Sequence, residues 1–287
     1  MERIEQAYAK LNLFLDVTGK RADGYHEIKS VMHSVTLADT VTVRATAADF
    51  SCITLKMENS SIPADERNLA YLAAEAFLEK TGITANVAIV VEKQIPAAAG
   101  LGGGSADAAA VLRALNAIFD HPLSTEALCA LGATLGSDVP FCVLGGTMLC
   151  EGRGEVCTPY SYPEGYFVIA VPEDEKMKTP EAYALLDEAF ENFEEPQTAL
   201  HEMLFSFFEE DPYYSMYNVF EGIVLPRSHA ATILRTRLLD AKAKNAMMSG
   251  SGTAVFGVFD TEDEAKAAAA KIKGAIVCAS APASLTL

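Results

Sequence analysis

Positive charge is scarce in this chain. Its 22 Lys and Arg stand against 39 Asp and Glu, a formal net charge of −17 over 287 residues. A field of that sign repels phosphodiester backbones and anionic lipid surfaces. The small basic groups, Lys20–Arg21 and Lys242 to Lys244, are outnumbered by acidic runs such as Glu173–Glu175 and Glu209–Asp211, which read as solvated surface. Nucleic acid and membrane are therefore excluded as partners. No apolar run approaches the ~18 residues that a spanning helix needs. Glu2, Arg3 and Glu5 break up any charged-then-apolar leader at the N-terminus, so a cytoplasmic location is expected. The six cysteines (52, 129, 142, 150, 157 and 278) form no C-x-x-C pair and no Cys/His ladder. That pattern argues against zinc and against a disulfide framework, and for reduced, mostly buried thiols.

Half of the residues are apolar and 21% are charged, enough for a sizeable core. The length suits two domains of ordinary size. The first third reads as short strands (11–17, 28–35, 41–44) with turn chemistry at Gly19, Asp23 and Gly24, then a helix over 68–80 and a strand over 87–91. Helices are predicted over 105–116 and 125–135, the second with Ser124 as N-cap. Gly145, Gly146, Gly152 and Gly154 punctuate a hairpin. From about 160 the texture changes: a strand over 167–171, helical stretches near 180–190, 197–208 and 228–240, a strand over 254–259, a helix to Lys273 opened by the capping box Thr261–Glu264, and a last strand over 275–279. Helices beside mainly antiparallel strands give an α+β class with domains 1–160 and 161–287.

Four segments carry chemistry. The sharpest runs from Pro96 through Gly100, Leu101, Gly102, Gly103 and Gly104 to Ser105, after a strand and into a helix. Glycines let the backbone approach a ligand closely, and the N–H groups of such a turn with those of a helix start make an anion cradle. No Lys follows the glycines, so it is not a P-loop, and Ser105 stands where the dinucleotide fingerprint needs its third glycine. A tight turn packed on a sheet is the alternative; the glycine density favours phosphate. The second segment holds Lys10 and Asn12, two apart and therefore on one face of a strand, followed by Tyr25 and His26. That face lines a cleft or is an exposed edge. The third places Asp138 in an apolar stretch, as a functional carboxylate or a helix N-cap. The fourth is a second glycine-rich turn, Ser249 to Gly252, which alone reads as an ordinary turn.

Together and in this order, these segments resemble the kinase superfamily of galactokinase, homoserine kinase, mevalonate kinase and phosphomevalonate kinase. The Gly-Glu-His type N-terminal signature of galactokinase and mevalonate kinase is absent. Lys10 and Asn12, the run Arg21 to His26, and Gly136 to Phe141 resemble instead the 4-diphosphocytidyl-2-C-methyl-D-erythritol kinase family of the non-mevalonate isoprenoid route. The resemblance spans residues 7 to about 260. It implies an N-terminal domain like ribosomal protein S5, a ferredoxin-like C-terminal domain, and an active site between them. It implies Asp138 and Lys10 as the catalytic pair, and Pro96 to Ser105 with Mg²⁺ on the phosphates of ATP. Asn68 and Lys93 fall near adenosine, and Asn12 at the methylerythritol unit. Tyr25, His26 and Tyr183, after Thr179, fall at the cytosine. Relatives carry two serines after the glycines where this chain has Ser105 and Ala106, which leaves the metal ligands unassigned.

The reaction implied is in-line transfer of the γ-phosphoryl group of ATP to the C2 hydroxyl of the CDP-bearing substrate, by a monomer or weak homodimer. The alternatives are another small-molecule kinase of the superfamily and a ligand sensor without catalysis.

Overall fold

The computed structural model describes residues 1–173, 177–189 and 198–285. The middle of the acidic run at 174–175 and the expected helix ends at 190 and 197 lie outside the described residues.

The elements, in order, are β1 (Glu2–Lys20), β2 (His26–Ala47), β3 (Cys52–Glu58), α1 (Leu69–Thr81), β4 (Ala85–Glu92), α2 (Gly103–Ile118), α3 (Thr125–Leu135), α4 (Val139–Leu144), β5 (Thr147–Glu151) and β6 (Val156–Pro159). There follow β7 (Tyr166–Ala170), α5 (Thr179–Ala189), α6 (Thr198–Glu210), β8 (Tyr217–Asn218), α7 (Glu221–Val224), α8 (His229–Asp240), β9 (Ala246–Met248), β10 (Val255–Phe259), α9 (Glu262–Ala269) and β11 (Ile276–Ala279).

Among the described residues the strands make two sheets. The larger runs β3-β4-β2-β1-β8, with β5 paired to β2 and β6 to β5. Its helices α1 and α2 stack on one another, and α2 lies on β1 and β2. Helix α2 is alanine-rich and buried over most of its length, because alanine combines high helix propensity with a side chain small enough for close approach to a sheet. The smaller sheet runs β11-β7-β10-β9, antiparallel throughout, with α8 and α9 packed on it. That strand order, read with the helices between, is the ferredoxin-like arrangement, and the α+β class holds.

Two local signals are present as expected: the Ser124 hydroxyl accepts from the Ala127 N–H, and Thr261 and Glu264 form a reciprocal capping box. Helix α9 stops at Ala269, short of Lys273. Strand β1 is far longer than its apolar stretch, because β2 supplies backbone partners from Glu2 to Lys20 whatever the side chains are. Along β1, Ala9, Leu11 and Leu13 pack with Phe167, Phe256 and α6 between the two sheets. Lys10 and Asn12 therefore face the opposite way, into a cavity.

Candidate active site

The cavity has a volume of about 920 Å³. Its upper wall is the glycine loop. Asp39 on β2 accepts from the Gln94 and Ile95 N–H groups at 2.5 and 2.8 Å, fixing the chain just before the loop. Gly102, at φ +70°, turns the chain into α2 with no side-chain cap, so the first-turn N–H groups are left for a ligand. A Cβ on Gly102 would lie 2.8 Å from Lys10 Cγ. The glycine is what lets the Lys10 stem lie along the loop, and the Lys10 N–H donates to the Leu101 carbonyl at 3.0 Å.

The second glycine turn packs against the first. Ser249 Oγ donates to the Gly100 carbonyl at 3.0 Å, and the Ala254 N–H to Ala99 at 3.1 Å. A Cβ on Gly100, at φ +81°, would fall 2.2 Å from the Ser249 carbonyl oxygen. Asn218 holds the second turn by donating from Nδ2 to the Met248 and Gly250 carbonyls, both at 2.8 Å. The segment that alone read as an ordinary turn is thus the brace of the phosphate-type loop.

Below the loop sits the charged pair. Lys10 Nζ lies 3.6 Å from Asp138 Oδ2 and donates to Asn12 Oδ1 at 2.5 Å. Asn12 Nδ2 donates to Ser30 Oγ at 2.8 Å, and Ser30 to the Phe14 carbonyl at 2.7 Å. This chain of hydrogen bonds fixes the ammonium in one place. Asp138 stands at the N-cap position of α4, yet its carboxylate makes no capping bond. It is turned toward Lys10 and is 29% exposed, whereas the Lys10 side chain is 6% exposed. Of the two readings the sequence allowed, the carboxylate takes the one that faces the cleft.

The far end is aromatic. The His26 ring is 4.7 Å from Tyr183, tilted by 32°, and Tyr183 meets Phe220 edge-on at 4.9 Å. Burial pushes the Tyr183 phenol up, so it stays neutral. Tyr25 is half exposed, with the Arg153 guanidinium carbon 4.7 Å from its ring centre. Thr179, Tyr183 and Asp187 recur every four residues on α5, which aims all three at the cavity. Thr179 Oγ1 meets Ser251 Oγ at 3.0 Å, joining α5 to the second glycine turn. Asp187 bonds to His26 Nε2 at 2.7 Å and to Lys20 Nζ at 2.5 Å. Burial pushes the Asp187 carboxyl up, but the bonds from Lys20 and His26 outweigh it and hold the group below its ordinary range.

Pro96 to Ser105, Lys10, Asn12, Tyr25, His26, Asp138, Thr179 and Tyr183 are therefore brought to one cavity. Asn68 is not. It caps α1, accepting from the Ala70 N–H at 2.9 Å and donating to the Pro63 carbonyl at 2.9 Å, while its neighbour Leu69 reaches the cavity wall. Lys93 lines the cavity, but its ammonium is held by Asp39 and Asp107. The sequence reading missed Asp187 and Arg153. Asp187 was findable one helical turn past Tyr183; Arg153, in the tip of the β5–β6 hairpin, carried no signal.

The GHMP kinases N terminal domain family matches residues 68–146, and the GHMP kinases C terminal family matches residues 182–277. A protein of Gloeobacter violaceus named 4-diphosphocytidyl-2-C-methyl-D-erythritol kinase is 42% identical over 275 residues, covering 94% of this chain and 89% of its own. One of the same name from Clostridium botulinum is 39% identical over 261 residues, covering 90% and 91%. A crystal structure of 4-(cytidine 5'-diphospho)-2C-methyl-D-erythritol kinase superposes with a TM-score of 0.76 at 33% identity, covering 98% of this chain and 100% of that one. Homoserine kinase from Cytophaga hutchinsonii shares the fold, with a TM-score of 0.72 at 18% identity.

Proposed function

Because this chain belongs to the 4-diphosphocytidyl-2-C-methyl-D-erythritol kinase family of the GHMP kinases, we propose that it transfers the γ-phosphoryl group of ATP to the C2 hydroxyl of 4-diphosphocytidyl-2-C-methyl-D-erythritol. One observation carries the reading: an unpaired-for-capping carboxylate, Asp138, stands beside the fixed Lys10 ammonium, between a glycine cradle and an aromatic pocket in a single cavity.

The amides of Gly100 to Ser105 bind the phosphates of ATP, and the apolar wall of Leu69, Ile95 and Pro96 receives the adenosine. Asn12 holds the methylerythritol unit near Asp138. Asp138 accepts the proton of the C2 hydroxyl as that oxygen attacks the γ-phosphorus, the new O–P bond forms, and ADP leaves with the bond pair. Lys10 offsets the charge that builds on the transferring group. Tyr25, His26 and Tyr183 hold the cytosine. Asp187 orients His26, and a base read by oriented hydrogen bonds rejects wrong ligands more strongly than shape alone. Among the described residues no group of three or more His, Cys, Asp or Glu side chains is placed to hold a metal ion. Mg²⁺, which commonly takes one or two carboxylates together with substrate phosphates and water, would enter with ATP as Mg-ATP. Among the described residues no helix is long and apolar enough to cross a membrane.

The test is ADP release from Mg-ATP with the CDP substrate, against homoserine, galactose and mevalonate. Turnover with the CDP substrate alone is expected. Turnover with a control would move the chain to another kinase activity, and nucleotide binding without turnover would make it a sensor.

A further inference from the structure

Two acidic side chains and one lysine sit behind the glycine loop, outside the reacting centre. Asp39 is fully buried, and Lys93 and Asp107 are 9% and 3% exposed. Lys93 Nζ pairs with Asp39 Oδ2 and, at 2.7 Å, with Asp107 Oδ2. Asp39 spends its other oxygen on the N–H groups of Gln94 and Ile95. Asp107 lies one helical turn beyond Gly103 on the same face of α2, and a Cβ on Gly103 would come within 3.3 Å of the Lys93 ammonium. Lys93 to Ile95 is the chain entering the loop, and Asp107 is on the helix leaving it. The ammonium therefore ties the two ends of the loop to each other, directly under its last turn.

This arrangement is expensive. Two carboxyl groups and one ammonium leave water together, and such clusters add less stability than well-packed apolar groups would. Asp107 Oδ1 is buried with no hydrogen-bond partner among the described residues. Burial, with repulsion from Asp39, pushes the Asp107 carboxyl up against the opposing pull of Lys93. A core built for stability alone would not place this cluster here; a loop whose amides must already point at an anion before it arrives gains from being clamped at both ends.

We propose that Asp39, Lys93 and Asp107 are positioning residues that clamp the base of the phosphate loop, and that Lys93 serves nucleotide binding through the loop's shape rather than by contact with the nucleoside. The proposal rests on the kinase reading for the identity of the ligand, though its test needs no turnover. Two of the three ammonium donors are committed to carboxylates, and a clamp acts on the phosphates alike whatever base they carry.

Binding of ADP, GDP and inorganic tripolyphosphate is measured by calorimetry on the full chain and on Lys93→Met, Asp107→Ala and Asp107→Asn. Lys93→Met is expected to weaken all three ligands by the same factor, about tenfold, the weight of one charge-assisted hydrogen bond. Lys93→Met leaves two facing carboxylates without a cation and can fail to fold, so Asp107→Ala carries the same test with the cation retained. Asp107→Asn, which keeps an acceptor for Lys93, is expected to recover most of what Asp107→Ala loses; a plain folding defect would lower the fraction of active protein and not the affinity of the remainder. A loss confined to ADP with tripolyphosphate unchanged, or Asp107→Ala binding all three as tightly as the unaltered chain, would overturn the clamp. A chain that binds these ligands in the expected pattern yet never phosphorylates the CDP substrate would leave the clamp standing and remove the kinase assignment.

Discussion

Replacing Gly100 by Ala tests whether the two glycine turns are one unit. The new Cβ would meet the Ser249 carbonyl oxygen at 2.2 Å, the Ser249 carbonyl carbon at 3.1 Å and the Gly252 oxygen at 3.3 Å, all backbone atoms that cannot swing aside. The residue also sits at φ +81°, where an L side chain costs roughly 1–2 kcal/mol. Gly274 provides the control: its φ is +72°, and nothing lies within 4 Å of its would-be Cβ, so Gly274→Ala has the strain without the clash. The excess for Gly100→Ala is the overpacking penalty, about 1–3 kcal/mol. At roughly 2 °C per kcal/mol for a chain of this size, it melts about 2–6 °C below Gly274→Ala. Relieving the clash moves the loop by roughly 1 Å, and a displacement of that size can lower turnover by about 10²-fold. Calorimetric melts and ADP-release rates of the two variants check both numbers. A Gly100→Ala protein that melts within about 1 °C of the control and turns over like the unaltered chain would refute the packing argument.

Asp138→Asn is expected to lower kcat by about 10²–10⁴ with little change in the KM for ATP, the range for a lost general base; unchanged turnover removes Asp138 from that role. Tyr25→Ala is expected to raise the KM for the CDP substrate and leave that for ATP alone, since its ring stands at the aromatic end of the cavity; an equal loss for both ligands would point to misfolding. His33 is buried between Thr147 and Ser280, its nitrogens 2.7 and 2.9 Å from their hydroxyls, and burial lowers its pKa to about 4. The unfolded chain protonates this imidazole near pH 6.5 and the folded one only near 4, so the unfolded state holds more protons between those values and stability falls as pH drops across them. The His33 share of that loss is about 2–3 kcal/mol by pH 4.5. Urea midpoints at pH 7.5 and 4.5 should show a smaller fall for His33→Gln, and equal falls in both proteins would contradict it.

What was legible in the sequence is local. The glycine loop, the helix it opens, the Ser124 cap and the Thr261–Glu264 box are written within a few residues of one another, where periodicity and turn chemistry act. Lys10 and Asn12 were readable as a pair because a strand alternates, though only the structure shows which face meets the cleft. Asp138 could not be settled from sequence: a residue at an N-cap position normally caps, and here the pull of Lys10, 128 residues away in the chain, decides otherwise. The same holds for Lys93 and Asn68. Each carries a polar group fit for a nucleotide, and each is engaged by partners (Asp39 and Asp107, Pro63 and Ala70) that the pattern around it does not announce.

An acidic chain that binds two phosphate-bearing ligands poses an apparent conflict, and the cavity resolves it. Each carboxylate described at its ends faces a cation: Asp138 has Lys10, and Asp187 has Lys20. Their charges are largely offset where a ligand would sit, while the uncapped amides of α2 add a positive bias; Arg153 on the cavity wall is itself paired with Glu155 at 3.5 Å. Surface acids farther off are screened within about 8 Å at physiological ionic strength. Net charge therefore speaks to what the outer surface repels, extended polyanions and anionic membranes, and is silent about a short anion inside a cleft. For that ligand the relevant field is made by oriented N–H dipoles and a few fixed ammonium groups at close range. This is why the bulk composition and the glycine loop could point in opposite directions without either being misleading.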